Sequence, residues 1–199
     1  MSLFNRAVRD QRWVNRWGTI RRLKEQSIAE HQYFVALYFL QICRDLEISY
    51  VQDAWGVAMW KVLTHDLPEI ITSDTPGPVK RALNAEGISA WVEDQLSNRI
   101  PNWKPPSNVT VREDEEMDAI MKVADDFEAA MYIMDEASMG NKNVKDVQEY
   151  VRRKLSKSLR ALIRVLPDRE EKILSMESHM NGQLGSNLSG EYPAMDEDR

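Results

Sequence analysis

Apolar residues recur along this chain at helical rather than alternating spacing. Over 27–45, Ile28, Val35, Tyr38 and Ile42 gather near one face when each residue is turned by about 100° from the last. Over 51–65, Ala54, Ala58, Val62 and their neighbours do the same. The stretches 86–100, 115–139, 143–166 and 168–180 read alike. Breaks fall at Ser73-Asp74-Thr75-Pro76-Gly77-Pro78, at Pro101 to Pro106, at Gly140-Asn141 and at Pro167, where the residue types turn the chain or stop a helix. No segment alternates convincingly with period two and no internal repeat emerges. The pattern therefore predicts an all-α domain over 1–180. From Asn181 onward, Asn, Gly and Ser precede the acidic Asp196-Glu197-Asp198, so 181–199 reads as a disordered acidic tail.

Composition narrows the function classes. The chain has 199 residues, enough for one domain, and 43% of them are hydrophobic, enough for a sizeable core. Lys and Arg number 26 against 32 Asp and Glu, a net charge of −6. That balance argues against a nucleic-acid polymer or an anionic membrane as partner, while leaving room for one basic pocket. No apolar run approaches the roughly 20 residues of a membrane span. The opening residues lack the apolar stretch of a secretory signal. One cysteine, Cys43, excludes an internal disulfide framework and a thiolate metal cage, and a cytoplasmic location is the expectation.

Candidate chemistry centres on histidine and aspartate. With His31 set at zero, Tyr38, Ile42 and Val35 lie within about 40° of it, so the ring sits in the middle of an apolar stripe. A polar ring there needs partners, either as a core histidine with one hydrogen bond or as a ligand. His65-Asp66 closes an apolar helical segment, and Pro68 follows two residues after Asp66. Neighbours on a regular helix diverge by about 100°, but a proline disturbs the preceding turn and lets both reach one point. Imidazole with carboxylate suits a divalent transition metal. A fourth ligand is available in Met121–Phe127, where the apolar face centres near Ala124. Asp125, about 100° away, borders the core; Asp126, about 200° away, is expected to face water. Glu128 falls inside the apolar stripe, as a partner for a histidine or a subunit contact. The run Arg112-Glu113-Asp114-Glu115-Glu116 reads as a solvated helix start, and His179 as uninvolved.

Several stretches together carry a likeness. His31, His65-Asp66 and Asp125 follow the order H…HD…D, and around them stand Asn15-Arg16-Trp17, Glu30-His31, His65 through Glu69, Thr72 through Lys80, and Lys122-Val123-Ala124-Asp125. In these the chain resembles HD-domain metal-dependent phosphohydrolases, more narrowly 5′-deoxynucleotidases of the YfbR type, and related phage dATP triphosphohydrolases. The resemblance implies an HD-domain helical bundle and a divalent ion, Co²⁺, Mn²⁺ or similar, held by His31, His65, Asp66 and Asp125. Such an ion makes hydroxide available near neutral pH. Glu69, three residues after Asp66, is then the expected general base or acid, the alternative being an exposed helix-start carboxylate.

Substrate binding falls to Arg16 for phosphate and Trp17 for stacking on the base, with core packing of Trp13 and Trp17 on one helix face as the alternative. Asp74 would accept from a sugar hydroxyl. Lys80 and Lys122 would add charge around phosphate or stand as surface lysines. The expected reaction converts a deoxyribonucleoside 5′-monophosphate to deoxynucleoside and phosphate through metal-activated water. A dNTP triphosphohydrolase is the alternative, and a non-catalytic helical protein the third reading. Surplus Met and Trp, with the likeness, suggest a homodimer or larger homo-oligomer.

Overall fold

The computed structural model describes residues 6–104 and 109–186. Within them a 3₁₀ helix over Arg6–Trp13 precedes α1 (Ile28–Asp45), α2 (Gln52–Thr64), α3 (Glu69–Thr72), α4 (Gly77–Ala85), α5 (Ile88–Arg99), α6 (Val111–Ser138), α7 (Lys145–Val165) and α8 (Glu170–Ser186). The described residues contain no β-strand, only an isolated bridge between Asn15 and Ser27, as the helical spacing predicts.

The helix ends follow from local chemistry. Ser27 Oγ accepts from Glu30 N at 3.1 Å and so caps α1. At the other end Ile48 N donates to Cys43 O at 2.8 Å, with Glu47 at φ 53°, a left-handed stop made here without glycine. The acidic run does begin a helix: Thr110 and Glu113 cap each other reciprocally, Glu113 N on Thr110 Oγ1 at 3.2 Å and Thr110 N on Glu113 Oε2 at 2.9 Å. Gly140, at φ 92°, ends the α6 region as its sequence signal predicts, and Asn141 N closes the turn on Glu136 O at 3.0 Å.

The chain forms two compact units, one from 1–37 with 50–113 and one from 38–49 with 114–199. In the first, α3 packs on α5 and on the N-terminal 3₁₀ helix, and Leu67, Leu96 and Ile100 form a buried cluster with Ile70, Ile71 and Trp103 against it. In the second, α7 packs on α8, and Ile120, Ile133, Leu159, Leu162, Ile173 and Leu184 are among the fully buried side chains.

Three expectations change. The break at 73–78 conceals the start of α4, because a proline in a first turn begins a helix as readily as it stops one. The helix α8 continues six residues past 180, since buried Met180 and Leu184 extend its apolar stripe and Arg152 Nη2 donates to Leu184 O at 2.9 Å. The remainder of the expected tail, 187–199, lies outside the described residues. Trp13 is 72% exposed at the end of the 3₁₀ helix, so it does not join Trp17 on a buried helix face.

Candidate active site

In the first unit, α1 and the end of α2 bring two imidazoles to one carboxylate. His65 caps α2, and its Nδ1 donates to Val62 O at 2.7 Å, which leaves the lone pair on Nε2. That Nε2 lies 3.4 Å from Asp66 Oδ2 without an aligned hydrogen bond. His31, fully buried on α1, places its Nε2 3.5 Å from the same oxygen, and the two rings meet edge to face at 5.4 Å. In the turn before Pro68, adjacent His65 and Asp66 thus lie with Nε2 and Oδ2 3.4 Å apart.

Glu69 begins α3 and is 4% exposed, so the exposed helix-start reading fails. Burial, then the nearby Asp66 and Asp74 carboxylates, push its carboxyl up to about 8, against the opposing pull of Lys80. Lys80, from α4, reaches Glu69 Oε1 at 3.3 Å and Asp66 Oδ1 at 3.6 Å. Its positive charge is thus engaged by these two carboxylates.

Arg16 and Trp17 stand on the loop before α1. Arg16 Nη1 sits 2.5 Å from His31 Nδ1, and its guanidinium lies 5.5 Å from the centre of the Trp17 ring. A guanidinium only donates, so Nδ1 accepts and the His31 proton resides on Nε2. Trp17 holds φ 62°, a conformation bulky residues rarely adopt, and its N donates to Asp74 Oδ2 at 2.6 Å. Asp74 follows Ser73, itself at φ 60°. Two strained loops are therefore joined by one charge-assisted hydrogen bond.

Sequence reasoning missed Gln32. Its buried amide, oriented so that the nitrogen donates to Leu63 O at 3.0 Å, accepts from Asp66 N at 3.2 Å and also meets buried Gln11. It ties α1 to the turn that presents Asp66. A polar residue beside His31 near a buried stripe was the available signal.

In the second unit, Asp125 is on α6, where Lys122 Nζ approaches its Oδ2 at 2.6 Å. Burial opposes the Lys122 charge, but Asp125 and Asp126 outweigh it and hold the ammonium above its usual range. Asp126 does not face water. It is 1% exposed and forms ion pairs with Lys122 at 2.8 Å and with Lys154, from α7, at 2.9 Å. The second half of α6 is buried nearly all round, so a one-faced reading of it assigns the wrong side to solvent. Glu128 is buried as expected.

The helical scaffold is that of HD-domain phosphohydrolases. It matches the cyanophage S-2L HD phosphohydrolase DatZ, described with bound dA and one catalytic Zn²⁺, at TM-score 0.64 and 18% identity over 96% of this chain and all of that one. An HD-domain phosphohydrolase from Listeria innocua matches at TM-score 0.63 and 20% identity, over 92% and 90%. The chain belongs to the YfbR-like 5′-deoxynucleotidase family, whose model matches residues 3–166. The 5′-deoxynucleotidase YfbR of Photorhabdus temperata is 27% identical over 140 residues, 64% of this chain and 70% of that protein. A dATP triphosphohydrolase of Salmonella phage PMBT28 is 30% identical over 103 residues, about half of each chain (49% and 51%). The chain is a hydrolase by this membership.

Proposed function

We propose that the chain hydrolyses deoxyribonucleoside 5′-monophosphates to deoxynucleoside and phosphate, with a divalent cation held by His31, His65, Asp66 and Asp125. The observation that carries this reading is the approach of two imidazole Nε2 atoms to one Asp66 oxygen, at 3.5 and 3.4 Å, next to a buried glutamate. At His65 the facing atoms are both acceptors, a repulsion that a cation between them turns into attraction. The donor set therefore fits the ion. Asp125 joins the set by its place in the H…HD…D order. When bound, the ion supplies a lowered pKa for water and neutralises charge on the phosphoryl group.

The remaining roles fall to the chain's own side chains. Glu69 accepts a proton from the attacking water and passes one to the departing 5′-oxygen as the phosphorus–oxygen bond breaks. Lys80 pulls against the burial and the neighbouring carboxylates that make Glu69 hold its proton, and so favours its charged, proton-accepting form. If His31 ligates through Nε2, its proton moves to Nδ1, which a guanidinium cannot approach as a donor. Arg16 is then released to grip phosphate with parallel hydrogen bonds. Trp17 stacks on the base, the second oxygen of Asp74 accepts from a sugar hydroxyl, and Lys122 adds charge near phosphate.

The phage relative favours a second reading on the same residues, release of triphosphate from dATP. Metal-stripped protein reloaded with Co²⁺, Mn²⁺ or Zn²⁺ and supplied with dAMP or dATP tests both. Phosphate from dAMP supports the first, and triphosphate from dATP the second. Inertness toward both with every ion refutes the assignment. Exposed Tyr33, Phe34 and Leu37 on α1 support a homo-oligomer, and a single cysteine, Cys43, fits the cytoplasmic location expected from the sequence. No helix among the described residues is long and apolar enough to cross a membrane.

A further inference from the structure

A cavity of about 640 Å³ opens in the second unit between the C-terminal half of α1, the middle of α6 and α8. Ile42, Phe127, Met176 and Met180 are its buried walls, and Tyr38 meets Phe127 edge to face at 4.8 Å. None of the residues assigned to hydrolysis lines it. The volume falls within the range of small-molecule sites, and aromatic and thioether walls favour a flat π-system.

The polar groups specify the ligand further. Gln41, Ser175, His179 and Gln183 edge the apolar walls, and Gln41, Ser175 and His179 bring both donors and acceptors. His179 Nδ1 donates to Ser175 O at 2.9 Å, so its Nε2 is left as an acceptor. The Tyr38 phenol, pushed up to about 12 by burial and then by Glu128 and Asp135, stays protonated as a donor. The charges at the mouth are already paired with one another: Lys172 lies 2.6 Å and Arg169 3.9 Å from Glu47, and Asp45 accepts from Arg44 at 3.0 Å. A phosphate entering here would lose its water and have to compete with Glu47 for Lys172.

We infer that this cavity binds an uncharged, planar heteroaromatic molecule of nucleobase or nucleoside size. The ring lies against Phe127 and the methionines, and its hydrogen-bonding edge meets the glutamine and histidine side chains. The site is separate from the proposed hydrolysis and does not depend on it.

Methyl-¹³C methionine NMR of the full chain without added metal tests this, because Met131, Met176 and Met180 line the cavity. Adenine or deoxyadenosine should shift these three signals saturably, and dAMP should need roughly tenfold higher concentration or more, since its phosphate must displace Glu47 from Lys172. Ser175→Trp at the exposed rim, and Met131→Trp on the wall, should each remove the response while turnover stays unchanged. Ser175 is solvent-exposed, so that variant folds even if the second does not. Unshifted cavity methionines, equal shifts with dAMP, or shifts that survive Ser175→Trp overturn the inference. A change of oligomeric mass in Ser175→Trp overturns it too, by making the cavity part of a contact between copies.

Discussion

Glu69 shows how much a single carboxyl's surroundings decide. Buried beside Asp66 and Asp74, it holds its proton to about 8 in the metal-free chain, well above an ordinary value of 4.5. The folded state thus binds this proton more tightly than the unfolded state. Its contribution to stability is complete below about 4.5 and is lost as pH rises through about 8. Thermal unfolding of the metal-free chain is expected at falling temperature across that window, and Glu69→Gln should flatten the decline. The same variant should retain its metal by elemental analysis yet turn over about 10²–10⁴-fold more slowly. A Glu69→Gln protein that lost its metal would show Glu69 to be a ligand instead. Among single residues, His31 and His65-Asp66 were legible because a polar ring in an apolar stripe and a proline-disturbed corner leave marks in the chain itself. Gln32 was not, since its partners Leu63 and Asp66 come from another helix end. Asp126 was misread for the same reason: Lys154, which holds it, lies 28 positions further on.

At the scale of elements, the long helices were readable because their apolar periodicity persists over several turns, and their ends carry side-chain caps such as Ser27 and Thr110. The four-residue α3 is too short to display a period, and α4, nine residues long with no buried side chain, starts inside the Pro/Gly-rich stretch that reads as a break. Yet α3 carries Glu69, and what steadies it is the cluster of Leu67, Leu96 and Ile100. Leu96, on α5, is completely buried and touches no site residue directly in this cluster. Leu96→Ala should cost about 2–5 kcal/mol in chemical denaturation, through lost burial and the cavity left behind. If stability were unchanged, the cluster would not be the support for α3 described above.

For the molecule as a whole, a net charge of −6 means that the proposed anionic substrate must be attracted by individual cations and not by the overall field. Arg16 and Lys80 belong to the first unit and Lys122 to the second, each already engaged with a site residue or its neighbour. A divalent cation that binds only the folded chain adds stability by mass action, about 2.7 kcal/mol at a hundred times its dissociation constant. Adding Mn²⁺ or Co²⁺ to stripped protein should therefore raise the melting temperature, and His65→Ala should abolish the rise. An identical rise in His65→Ala would place the ion elsewhere. The α8 cavity was illegible beforehand, because its lining comes from three separated stretches, 38–47, 127–131 and 172–183.

The bond from the Trp17 amide to Asp74 ties an unfavourable backbone geometry to a residue assigned to the sugar. Losing that carboxylate by Asp74→Ala would free the Trp17 turn to relax, so the indole would drift at the same moment that the hydroxyl contact vanished. Under the proposed roles of Asp74 and Trp17, discrimination between sugars and grip on the base are mechanically one property. A lineage that altered its preference for one would be obliged to retune the other.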